Sequence, residues 1–378
     1  METPFLNPPK RILMTADTIG GVWTYALELA RALASHGVEV VMATMGARLN
    51  SGQASEASSI PNLEIFESDY KLEWMSNPWR DVSLAGDWLL GLESRFKPDV
   101  IHLNGYAHGA LPWRAPVVVV GHSCVLSWWR AVKGENAPAG CRHYREAVMR
   151  GIQAADLVIA PSRAMLEALE YHYGPLRGTE VIYNSREPDW FKPGRKENFI
   201  LAAGRLWDEA KNIAALAGVA AEVPWPVYVA GEERHPEAPA AISPGHIRLL
   251  GRLGREDLSS WFAKASIYAF PARYEPFGLS VLEAGLAGCA LVLGDIPSLR
   301  EIWGRAALYI PPEDGDVLRS ALKGLISNPA RLNQLAARAR RRAMEFMPGK
   351  MAKRYLAAWA GLIRNPRFET KEQLACAS

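Results

Sequence analysis

Residues 11–43 read RILMTADTIGGVWTYALELARALASHGVEVVMA and change from one periodicity to another along their length. Arg11–Thr15 is a short apolar run that predicts a strand. After a loop, apolar residues recur at helical spacing as far as Ala34, and Gly37 stands where glycine commonly ends a helix. Val38–Ala43 predicts the next strand. A strand, a helix and a strand in this order form the building unit of a parallel sheet that carries helices on its faces.

The same alternation covers most of the chain and is interrupted once. A length of 378 residues suggests about two domains, and Pro188–Arg195 has the proline, glycine and charged residues of a linker. Further strands are predicted on both sides of this linker, at Asp99–Leu103, Val117–Gly121, Leu157–Ala160, Phe199–Ala203, Val227–Ala230, Ile247–Leu250, Ile267–Phe270 and Ala290–Leu293. The sequence therefore predicts two α/β domains in tandem, with ligands bound at the carboxyl ends of the strands in a cleft between the domains.

Helices and loops fill the intervals between these strands. Helices are predicted at Val82–Phe96, Tyr144–Ala155, Asp257–Lys264 and Leu279–Ala287, and from Val317 to Ile363 with interruptions near Pro329 and Pro348. Ser51–Pro61 is rich in serine, alanine and glycine, so a surface loop is predicted there. Ser127–Cys141 combines two tryptophans with loop-forming residues and is assigned no element; an acceptor-side loop is one interpretation of it.

Composition excludes several classes of protein. With 49% apolar and 22% charged residues, the chain has globular rather than disordered composition. A net charge of +3 is too small to favour nucleic acid as a partner. The N-terminal residues lack the apolar core of a signal peptide, and no apolar run is long enough to span a membrane.

The cysteines indicate the redox environment. They lie far apart in the sequence and form no CxxC pair, at Cys124, Cys141, Cys289 and Cys376. This spacing argues against a zinc site and against a disulfide framework. We therefore expect a cytoplasmic protein without a metal site.

The strongest chemical motif is RYEPFGLSVLEAG at residues 273–285, between a predicted strand and a predicted helix. The first turn of such a helix offers backbone N–H groups without partners inside the helix, and Gly278 lets a ligand approach the backbone closely. Glu275 and Glu283 carry carboxylates, which accept from two hydroxyls at once and suit a polyhydroxyl ligand. The structural alternative is a helix cap at Glu275 and a solvated Glu283. Small apolar residues follow Glu283, and an unpaired acid among them would be costly.

A second motif, GRLWDEAKN at residues 204–212, directly follows a predicted strand. Arg205 and Lys211 are six residues apart in this motif, so both cations can converge on one phosphate group. The alternative is a pair of solvated charges, with Lys211 in an exposed ion pair with Asp208 that contributes less than about 1 kcal/mol.

Three weaker signals remain. Gly20 and Gly21 open the first predicted helix and either expose amides to a phosphate or form only a tight turn; they do not match GxGxxG, which weakens a dinucleotide interpretation. His122 follows a predicted strand and is either a cleft residue or a structural histidine, whereas His102 is more typical of a structural one. A basic cluster, either a solvated face or a weak attraction to a membrane surface, lies at Arg338, Arg340, Arg341 and Arg342.

Together, these residues resemble the retaining glycosyltransferases of family 4, which have the GT-B architecture of two tandem Rossmann-like domains facing across a cleft. The similarity runs in order through most of the chain and is strongest from Phe199 to Pro312. Its most specific element is the pair of glutamates with seven residues between them, Glu275 and Glu283. The resemblance implies an N-terminal acceptor-side domain at residues 1–190, a nucleotide-sugar-binding domain at residues 195–348, and a helix at residues 349–378 that packs back on the first domain.

The resemblance also implies roles for single residues. In the family the first glutamate contacts donor-sugar hydroxyls, the second holds the ribose, two cations grip the diphosphate, and backbone amides between the glutamates contact the sugar. The implied catalytic residues are His122, Glu275, Arg205 and Lys211. The implied donor-binding residues are Gly20, Gly21, Arg205, Lys211, Gly251, Leu253, Glu275, Phe277, Gly278, Leu279 and Glu283. Ser123 departs from the aspartate that often follows the family's histidine, which concerns the identity of the substrate.

The reaction implied is transfer of a sugar from a nucleotide-diphosphate sugar, with a UDP-sugar favoured, to a hydroxyl acceptor. The acceptor is a sugar, a lipid-linked sugar or a small metabolite, the anomeric configuration is retained, and neither a metal nor a cofactor is expected. Two alternatives remain open from the sequence. One is another nucleotide-sugar enzyme of this architecture, such as an epimerase or a phosphorylase, and the other is a non-catalytic module that binds a nucleotide-sugar.

Overall fold

The computed structural model describes residues 8–233 and 245–364 and divides into two compact units. As far as they are described, unit 1 consists of Met1–Ser127, Asn136–Asn184 and Pro348–Ser378, and unit 2 consists of Trp128–Glu135 and Ser185–Met347. Residues 1–7, Cys376 and the end of the segment 349–378 lie outside the described residues, and the expectations made for them stay predictions.

In chain order, the strands are β1 (Arg11–Asp17), β2 (Glu39–Met45), β3 (Leu63–Glu67), β4 (Val100–Leu103), β5 (Val117–Val120), β6 (Leu157–Ala160), β7 (Thr179–Val181), β8 (Glu197–Ala203), β9 (Val227–Ala230), β10 (Arg248–Gly251), β11 (Ala265–Phe270), β12 (Ala290–Gly294) and β13 (Leu308–Ile310). The helices are α1 (Gly21–Ala34), α2 (Ser51–Ser58), α3 (Trp79–Phe96), α4 (Val125–Lys133), α5 (Arg142–Ala154), α6 (Arg163–Tyr173), α7 (Ile213–Val219), α8 (Arg255–Lys264), α9 (Leu279–Leu286), α10 (Pro297–Trp303), α11 (Gly315–Ile326), α12 (Pro329–Ala343) and α13 (Pro348–Ile363).

Unit 1 is built on a parallel sheet with the strand order β3-β2-β1-β4-β5-β6-β7. The direction of the strand order reverses at β1, which lies between β2 and β4. Since all strands are parallel, the carboxyl ends of β1, β4 and β5 lie side by side at one edge. Gly20, Asn104 and His122 follow these three strands, so the topology gathers their loops at that edge.

The core of unit 1 joins the first strand to the last described helix. Ile12 and Met14 of β1 are fully buried in one apolar cluster with residues of α1 and with Tyr355 and Trp359 of α13. The Tyr25 hydroxyl donates to the Tyr355 hydroxyl at 2.6 Å, which adds a buried polar contact between α1 and α13. The helix α13 therefore completes a core that the N-terminal elements begin.

Unit 2 is built on a second parallel sheet, with the strand order β10-β9-β8-β11-β12-β13. Here β8 lies between β9 and β11, so the strand order reverses at β8. Ile200 of β8, Ile267 of β11 and Val292 of β12 are fully buried in one apolar cluster. The two sheets confirm the predicted α/β fold class with two tandem Rossmann-like units.

The structure corrects the prediction of a surface loop at Ser51–Pro61, because Ser51–Ser58 forms the helix α2. Its first turn is fixed by a reciprocal cap: the Gln53 backbone N–H donates to the Asn50 side chain at 2.9 Å, and the Asn50 backbone N–H donates to the Gln53 side chain at 3.1 Å. Such a cap satisfies two amides that a helix start leaves without partners, and it compensates for a poor helix-forming composition. The short strands β3, β7 and β13 were also not predicted from the sequence.

The unassigned segment Ser127–Cys141 is largely ordered structure rather than one loop. It contains most of α4 and a single 3-10 turn at Ala139–Cys141. The prediction of interrupted helices from Val317 to Ile363 is confirmed, and Pro329 and Pro348 stand in the first turns of α12 and α13, where proline costs no hydrogen bond. Within the described residues, no helix is both long and apolar enough to cross a bilayer.

Replacing Trp359 by alanine is expected to lower the free energy of unfolding by about 3–5 kcal/mol, because it removes a large buried side chain and leaves a cavity. Trp359 is 0% exposed. The measurement is urea unfolding followed by circular dichroism. Ala357→Gln, on the exposed side of α13, is the control and is expected to change the free energy by less than about 0.5 kcal/mol. Equal stability of Trp359→Ala and this control would show that α13 does not contribute to the core.

Candidate functional site

Two loops at the carboxyl edge of the sheet in unit 2 carry most of the predicted donor-site residues. The loop Gly204–Asn212 follows β8, and the loop Pro271–Gly278 follows β11, its neighbour in the sheet. A backbone hydrogen bond of 2.8 Å from Arg273 N to Ala210 O joins the loops directly. The pairing of β8 with β11 therefore brings two motifs together that are more than sixty residues apart, as the 64-residue separation of Lys211 and Glu275 shows.

Lys211 and Glu275 form an ion pair between these two loops. The Lys211 Nζ lies 2.8 Å from Glu275 Oε2, and the two side chains are only 13% and 16% exposed. The backbone N–H of Phe277 donates to Glu275 Oε1 at 3.3 Å, and the hydroxyl of Ser298 donates to the Glu275 carbonyl. Both carboxylate oxygens of Glu275 thus have a partner on its own unit. The lysine pairs with Glu275 and not, as the surface-pair alternative held, with Asp208.

Arg205 is held by Asp208 and by an aromatic ring. Its Nη2 lies 2.8 Å from Asp208 Oδ2, and its guanidinium carbon lies 5.0 Å from the centre of the Trp207 ring. The Arg205 side chain is 38% exposed, whereas the Asp208 side chain is 5% exposed. Burial raises the pKa of Asp208, but Lys211, Arg205 and its hydrogen bonds outweigh burial and hold this pKa below its usual value. Asp208 is therefore a buried carboxylate, and the cation it holds remains partly open to solvent.

The start of α9 is shaped by Gly278, which has φ +90° and stands at the N-cap position without a side-chain cap. A Cβ on this residue would lie 3.0 Å from Val281 and 3.4 Å from the side chain of Glu275. The left-handed backbone and this close approach both favour glycine. Phe277 is buried, 5.7 Å ring to ring from Phe346, and Leu279 begins the helix. The first amides of α9 have no cap from the N-cap residue, which suits a ligand with acceptor atoms.

Glu283 lies inside α9 and is buried rather than solvated. Its Oε1 lies 2.7 Å from Arg186 Nε, and the two side chains are 9% and 5% exposed. Burial raises the pKa of Glu283, and Arg186 offsets part of that rise. The solvated-face alternative for Glu283 is wrong. One turn earlier, the Ser280 hydroxyl accepts from the Tyr268 hydroxyl at 2.8 Å, which fixes the helix to β11.

The remaining predicted residues of unit 2 lie at the end of β10, two strands from β8 in the sheet. Gly251 has φ +66°, a backbone conformation that favours glycine, and its carbonyl accepts from Gly231 N at 2.8 Å. Leu253 is half-buried in the loop before α8. These residues lie at the same carboxyl edge of the sheet as the loops Gly204–Asn212 and Pro271–Gly278.

In unit 1, the hydrogen bonds of His122 determine which of its nitrogens carries the proton. Asn104 Nδ2 donates to the Thr15 carbonyl at 2.6 Å, and a carbonyl can only accept. The amide oxygen of Asn104 therefore faces His122 Nε2, at 2.8 Å, and must accept from it. Nε2 then carries the proton, and Nδ1 is the unprotonated acceptor. Among the described residues Nδ1 has no hydrogen-bond partner, and the side chain is only half-buried.

A cluster of buried aromatic residues supports His122. The Tyr25 ring packs edge-on against His122 at 4.4 Å, and the Tyr25 hydroxyl lies 3.2 Å from His102 Nε2. Burial lowers the pKa of His122 to about 3. Burial and the neighbouring His122 lower the pKa of His102 to about 3 as well, against a raising effect of Asn104. Both histidines are therefore neutral near pH 7.

Gly20 and Gly21 stand at the start of α1, at the carboxyl edge of the unit 1 sheet. Gly20 is the N-cap residue, with extended backbone and no side-chain cap, and Gly21 is exposed. The amides that open α1 thus lack a side-chain partner from the N-cap residue. The structure places His122 and the glycine pair at the ends of strands in unit 1, and it places all the other predicted site residues in unit 2.

Several residues that contact the predicted site residues were not predicted from the sequence. Asp208 was considered only as an exposed partner of Lys211, although its side chain is buried. Asn104 was given no role. Arg186 and Trp128 carried no recognisable signal, because each contacts its partner across a long stretch of chain, 80 residues in the case of Trp128 and Asp208.

An acidic pair at the start of α11 and the basic cluster on α12 also contain residues with local partners. Asp314 and Asp316 have Asp-x-Asp spacing, but Asp314 caps α11 by accepting from Val317 N at 2.9 Å, and Asp316 pairs with Arg319 at 2.7 Å. In residues 8–233 and 245–364, no group of three or more His, Cys, Asp or Glu side chains is arranged to hold a metal ion. Of the predicted basic cluster on α12, Arg338, Arg340 and Arg341 are exposed, whereas Arg342 donates to the Ile302 carbonyl at 2.6 Å. Attraction of this face to anionic lipid stays a prediction.

We expect the free energy of unfolding to fall as the pH is lowered from about 6.5 to 3. In this window the unfolded chain protonates histidines that the native structure holds neutral, since the pKa of His122 is lowered to about 3. Each such histidine contributes a slope of about 1.4 kcal/mol per pH unit. Urea unfolding of His122→Gln across this window should show a slope that is smaller by about that amount. His36→Gln, in the turn after α1, controls for loss of a histidine elsewhere. Equal slopes for both variants would contradict the lowered pKa of His122.

Two family models match this chain. The model described as Glycosyltransferase Family 4 matches residues 19–190, and the model described as Glycosyl transferases group 1 matches residues 197–328. Together they cover most of both units. The two matches follow the order of the units along the chain.

Several curated relatives match nearly the full length of this chain. The chain is 27% identical over 386 residues to the glycogen synthase of Mycobacterium tuberculosis, covering 88% of this chain and 90% of that protein. It is 26% identical over 355 residues to the phosphatidyl-myo-inositol mannosyltransferase of Mycolicibacterium smegmatis, covering 87% of each. Both relatives are thus similar in length to this chain.

Solved structures share the fold. The sucrose-phosphate synthase of Thermosynechococcus elongatus superimposes with a TM-score of 0.73 at 19% identity, over 98% of this chain and 100% of that one. The HepE protein of Anabaena in complex with UDP-glucose superimposes with a TM-score of 0.72 at 17% identity, over 93% and 100%. At these identities the similarity demonstrates the architecture.

Proposed function

This chain belongs to glycosyltransferase family 4 and has the GT-B fold, and on that premise we propose which donor it uses and how it transfers the sugar. The donor is a nucleotide-diphosphate sugar, with a UDP-sugar favoured. The acceptor is a hydroxyl of a sugar, a lipid-linked sugar or a small metabolite. The configuration of the transferred sugar is retained, and no metal takes part.

The observation that carries the proposal is the pair of cations in the loop after β8, each held by a carboxylate. Breaking the bond between the sugar C1 and the diphosphate oxygen leaves negative charge on the departing diphosphate. Positive groups fixed in advance stabilise such charge without reorganisation during the reaction. Arg205, Lys211 and the amides at the start of α9 would supply this stabilisation, in the role that a divalent cation has in other transferases.

Glu275 is proposed to bind hydroxyls of the donor sugar while it holds Lys211. An ionised carboxylate offers about four acceptor sites, and the structure uses one on each oxygen, for Lys211 and for Phe277 N. Acceptor capacity therefore remains for sugar hydroxyls. Glu283 is proposed to bind the ribose by the same reasoning, since an ionised carboxylate has acceptor sites beyond the 2.7 Å contact of Oε1 with Arg186.

The proposed reaction proceeds at one face of the sugar. The C1–O bond to the diphosphate breaks and gives an oxocarbenium-like centre, as in glycoside hydrolysis. The acceptor hydroxyl attacks C1 from the face that the diphosphate leaves, and its proton passes to the leaving phosphate. His122 is proposed to position a substrate hydroxyl, because its unprotonated Nδ1 can accept from a hydroxyl but not from a phosphate oxygen that itself only accepts.

The preference for a UDP-sugar has one direct support. The HepE structure with the same fold contains UDP-glucose. The base would be held near Gly251 and Leu253 at the end of β10, as the family resemblance implies. A cytoplasmic location is also proposed, on the sequence composition alone.

Replacing Lys211 by alanine should raise the activation free energy for kcat/KM by about 3–4 kcal/mol. This lowers kcat/KM roughly a hundred- to a thousandfold. The physical reason is loss of a fixed charge that stabilises the leaving diphosphate. Glu275→Ala should have a similar effect because it removes the contact with both the sugar and Lys211. The measurement is release of nucleotide that depends on an acceptor, with the fold checked by circular dichroism.

Lys323→Ala serves as the charge-matched control, since Lys323 is exposed on α11. It should retain the activity of the unmodified chain. The binding of the diphosphate by Arg205 and Lys211 is called the diphosphate clamp below. If folded Lys211→Ala turns over as fast as this control, the diphosphate clamp is removed from the proposal.

A further inference from the structure

Asp208 is the centre of a group of contacts that the motifs do not explain. Its Oδ2 accepts from Arg205 at 2.8 Å, and its Oδ1 accepts from the indole Nε1 of Trp128 at 2.9 Å and from the Ala210 backbone at 3.0 Å. The side chain is 5% exposed, so its charge depends on these donors. A hydrogen bond to an ionised acceptor is stronger than one between neutral groups. The Trp128 indole is therefore one of three donors that fix this carboxylate.

The segment around Trp128 has a second attachment to the same loop. Trp128–Glu135 belongs to unit 2, and Lys133 Nζ lies 2.7 Å from Oε2 and 2.8 Å from Oε1 of Glu209. The same ammonium lies 5.8 Å from the centre of the Trp128 ring. Trp128 and Lys133, both on α4, thus hold Asp208 and Glu209. These two acidic residues are consecutive in the loop Gly204–Asn212 after β8.

The direction of the Arg205 guanidinium depends on Asp208. The Asp208 carboxylate engages one edge of the guanidinium, and the Trp207 ring covers one face at 5.0 Å. A guanidinium has five N–H donors in a rigid fork, and the Arg205 side chain is 38% exposed. Donors therefore remain for an anion, and their direction is set by the groups that hold the other edge.

We propose that Trp128 is a positioning residue for sugar transfer: its indole N–H fixes Asp208, and Asp208 directs the guanidinium of Arg205 toward the diphosphate of the donor. This inference rests on the proposed function, because it needs Arg205 to bind the diphosphate. It gives a role to part of the segment Ser127–Cys141, which the sequence had suggested only as an acceptor-side loop.

Loss of the indole N–H should change the orientation of the Arg205 guanidinium and leave the charges of Asp208 and Arg205 unchanged. Phenylalanine at position 128 fills part of the same space but has no donor, so Oδ1 of Asp208 keeps only the Ala210 contact. The carboxylate then rotates more freely, and Arg205 is held less rigidly, although both charges remain. A diphosphate should bind more weakly, and the net charge of the protein is unchanged.

The test compares Trp128→Phe with Trp129→Phe in the full-length chain. Trp129 is the adjacent residue on α4, and its ring packs edge-on against Trp128 at 5.9 Å. Inorganic pyrophosphate is the probe, with its affinity measured by titration calorimetry, so that the identity of the base and sugar does not matter. We expect about a fivefold loss of affinity for Trp128→Phe, the scale of one buried hydrogen bond. Trp129→Phe should bind as the unmodified chain does.

Both variants are also measured in an Arg205→Ala background. If Trp128 acts through Arg205, Trp128→Phe should cause no further loss once Arg205 is absent, because effects in one network are not additive. A purely structural role would give the same fivefold loss in both backgrounds. With the donor sugar, the KM should rise in Trp128→Phe more than kcat falls. Asp208→Asn is the second variant, used if Trp128→Phe does not fold, and it should show the same dependence on Arg205.

The outcomes separate the inference from the proposed function. Weaker pyrophosphate binding in Arg205→Ala with unchanged binding in Trp128→Phe overturns the inference and leaves the diphosphate clamp in place. A loss in Trp128→Phe that persists in the Arg205→Ala background also overturns it. Unchanged binding in Arg205→Ala overturns the clamp itself, and the role of Trp128 with it.

Discussion

The parallel pairing of β8 with β11 organises the candidate active site of unit 2. It sets the loops after these strands side by side, and the ion pair of Lys211 with Glu275, at 2.8 Å, closes across them. Since both side chains are largely buried, removing either would leave the other charge without compensation in a place that water hardly reaches. The pair therefore fixes the two loops relative to each other. In the proposed function, the same pair also provides a cation for the diphosphate and an acceptor for the sugar hydroxyls.

Each proposed ligand-binding side chain is held by a neighbour that leaves part of it unused. Asp208 occupies one edge of the Arg205 guanidinium, and Asn104 occupies one nitrogen of His122. In unit 1 the Thr15 carbonyl fixes the Asn104 amide, and this fixes the histidine tautomer. Removing polar side chains from water is costly, and the hydrogen bonds that these neighbours form offset part of that cost. These contacts orient the side chain, because a guanidinium or imidazole with one edge fixed presents its other edge in a defined orientation.

Much of the fold and part of the site follow from the sequence. The apolar strands and the loops after them locate Arg205, Lys211 and Glu275, because parallel strands bring their carboxyl ends to one edge. The helix α2 was missed because its cap, between Asn50 and Gln53, outweighs a composition typical of loops. Contacts between residues that are distant in the chain could not be predicted from local patterns either. Periodicity locates a buried strand, but it cannot pair the Trp128 indole with the Asp208 carboxylate 80 residues away.

The most direct test of the diphosphate clamp is a crystal structure of the protein with a UDP-sugar or its product nucleotide. The proposal places phosphate oxygens within hydrogen-bond distance of the Arg205 guanidinium and of Lys211 Nζ, with the first amides of α9 facing the same group. Glu275 should accept from hydroxyls of the sugar. A nucleotide whose diphosphate lies away from both cations, with Lys211 still engaged only by Glu275, would contradict the proposal.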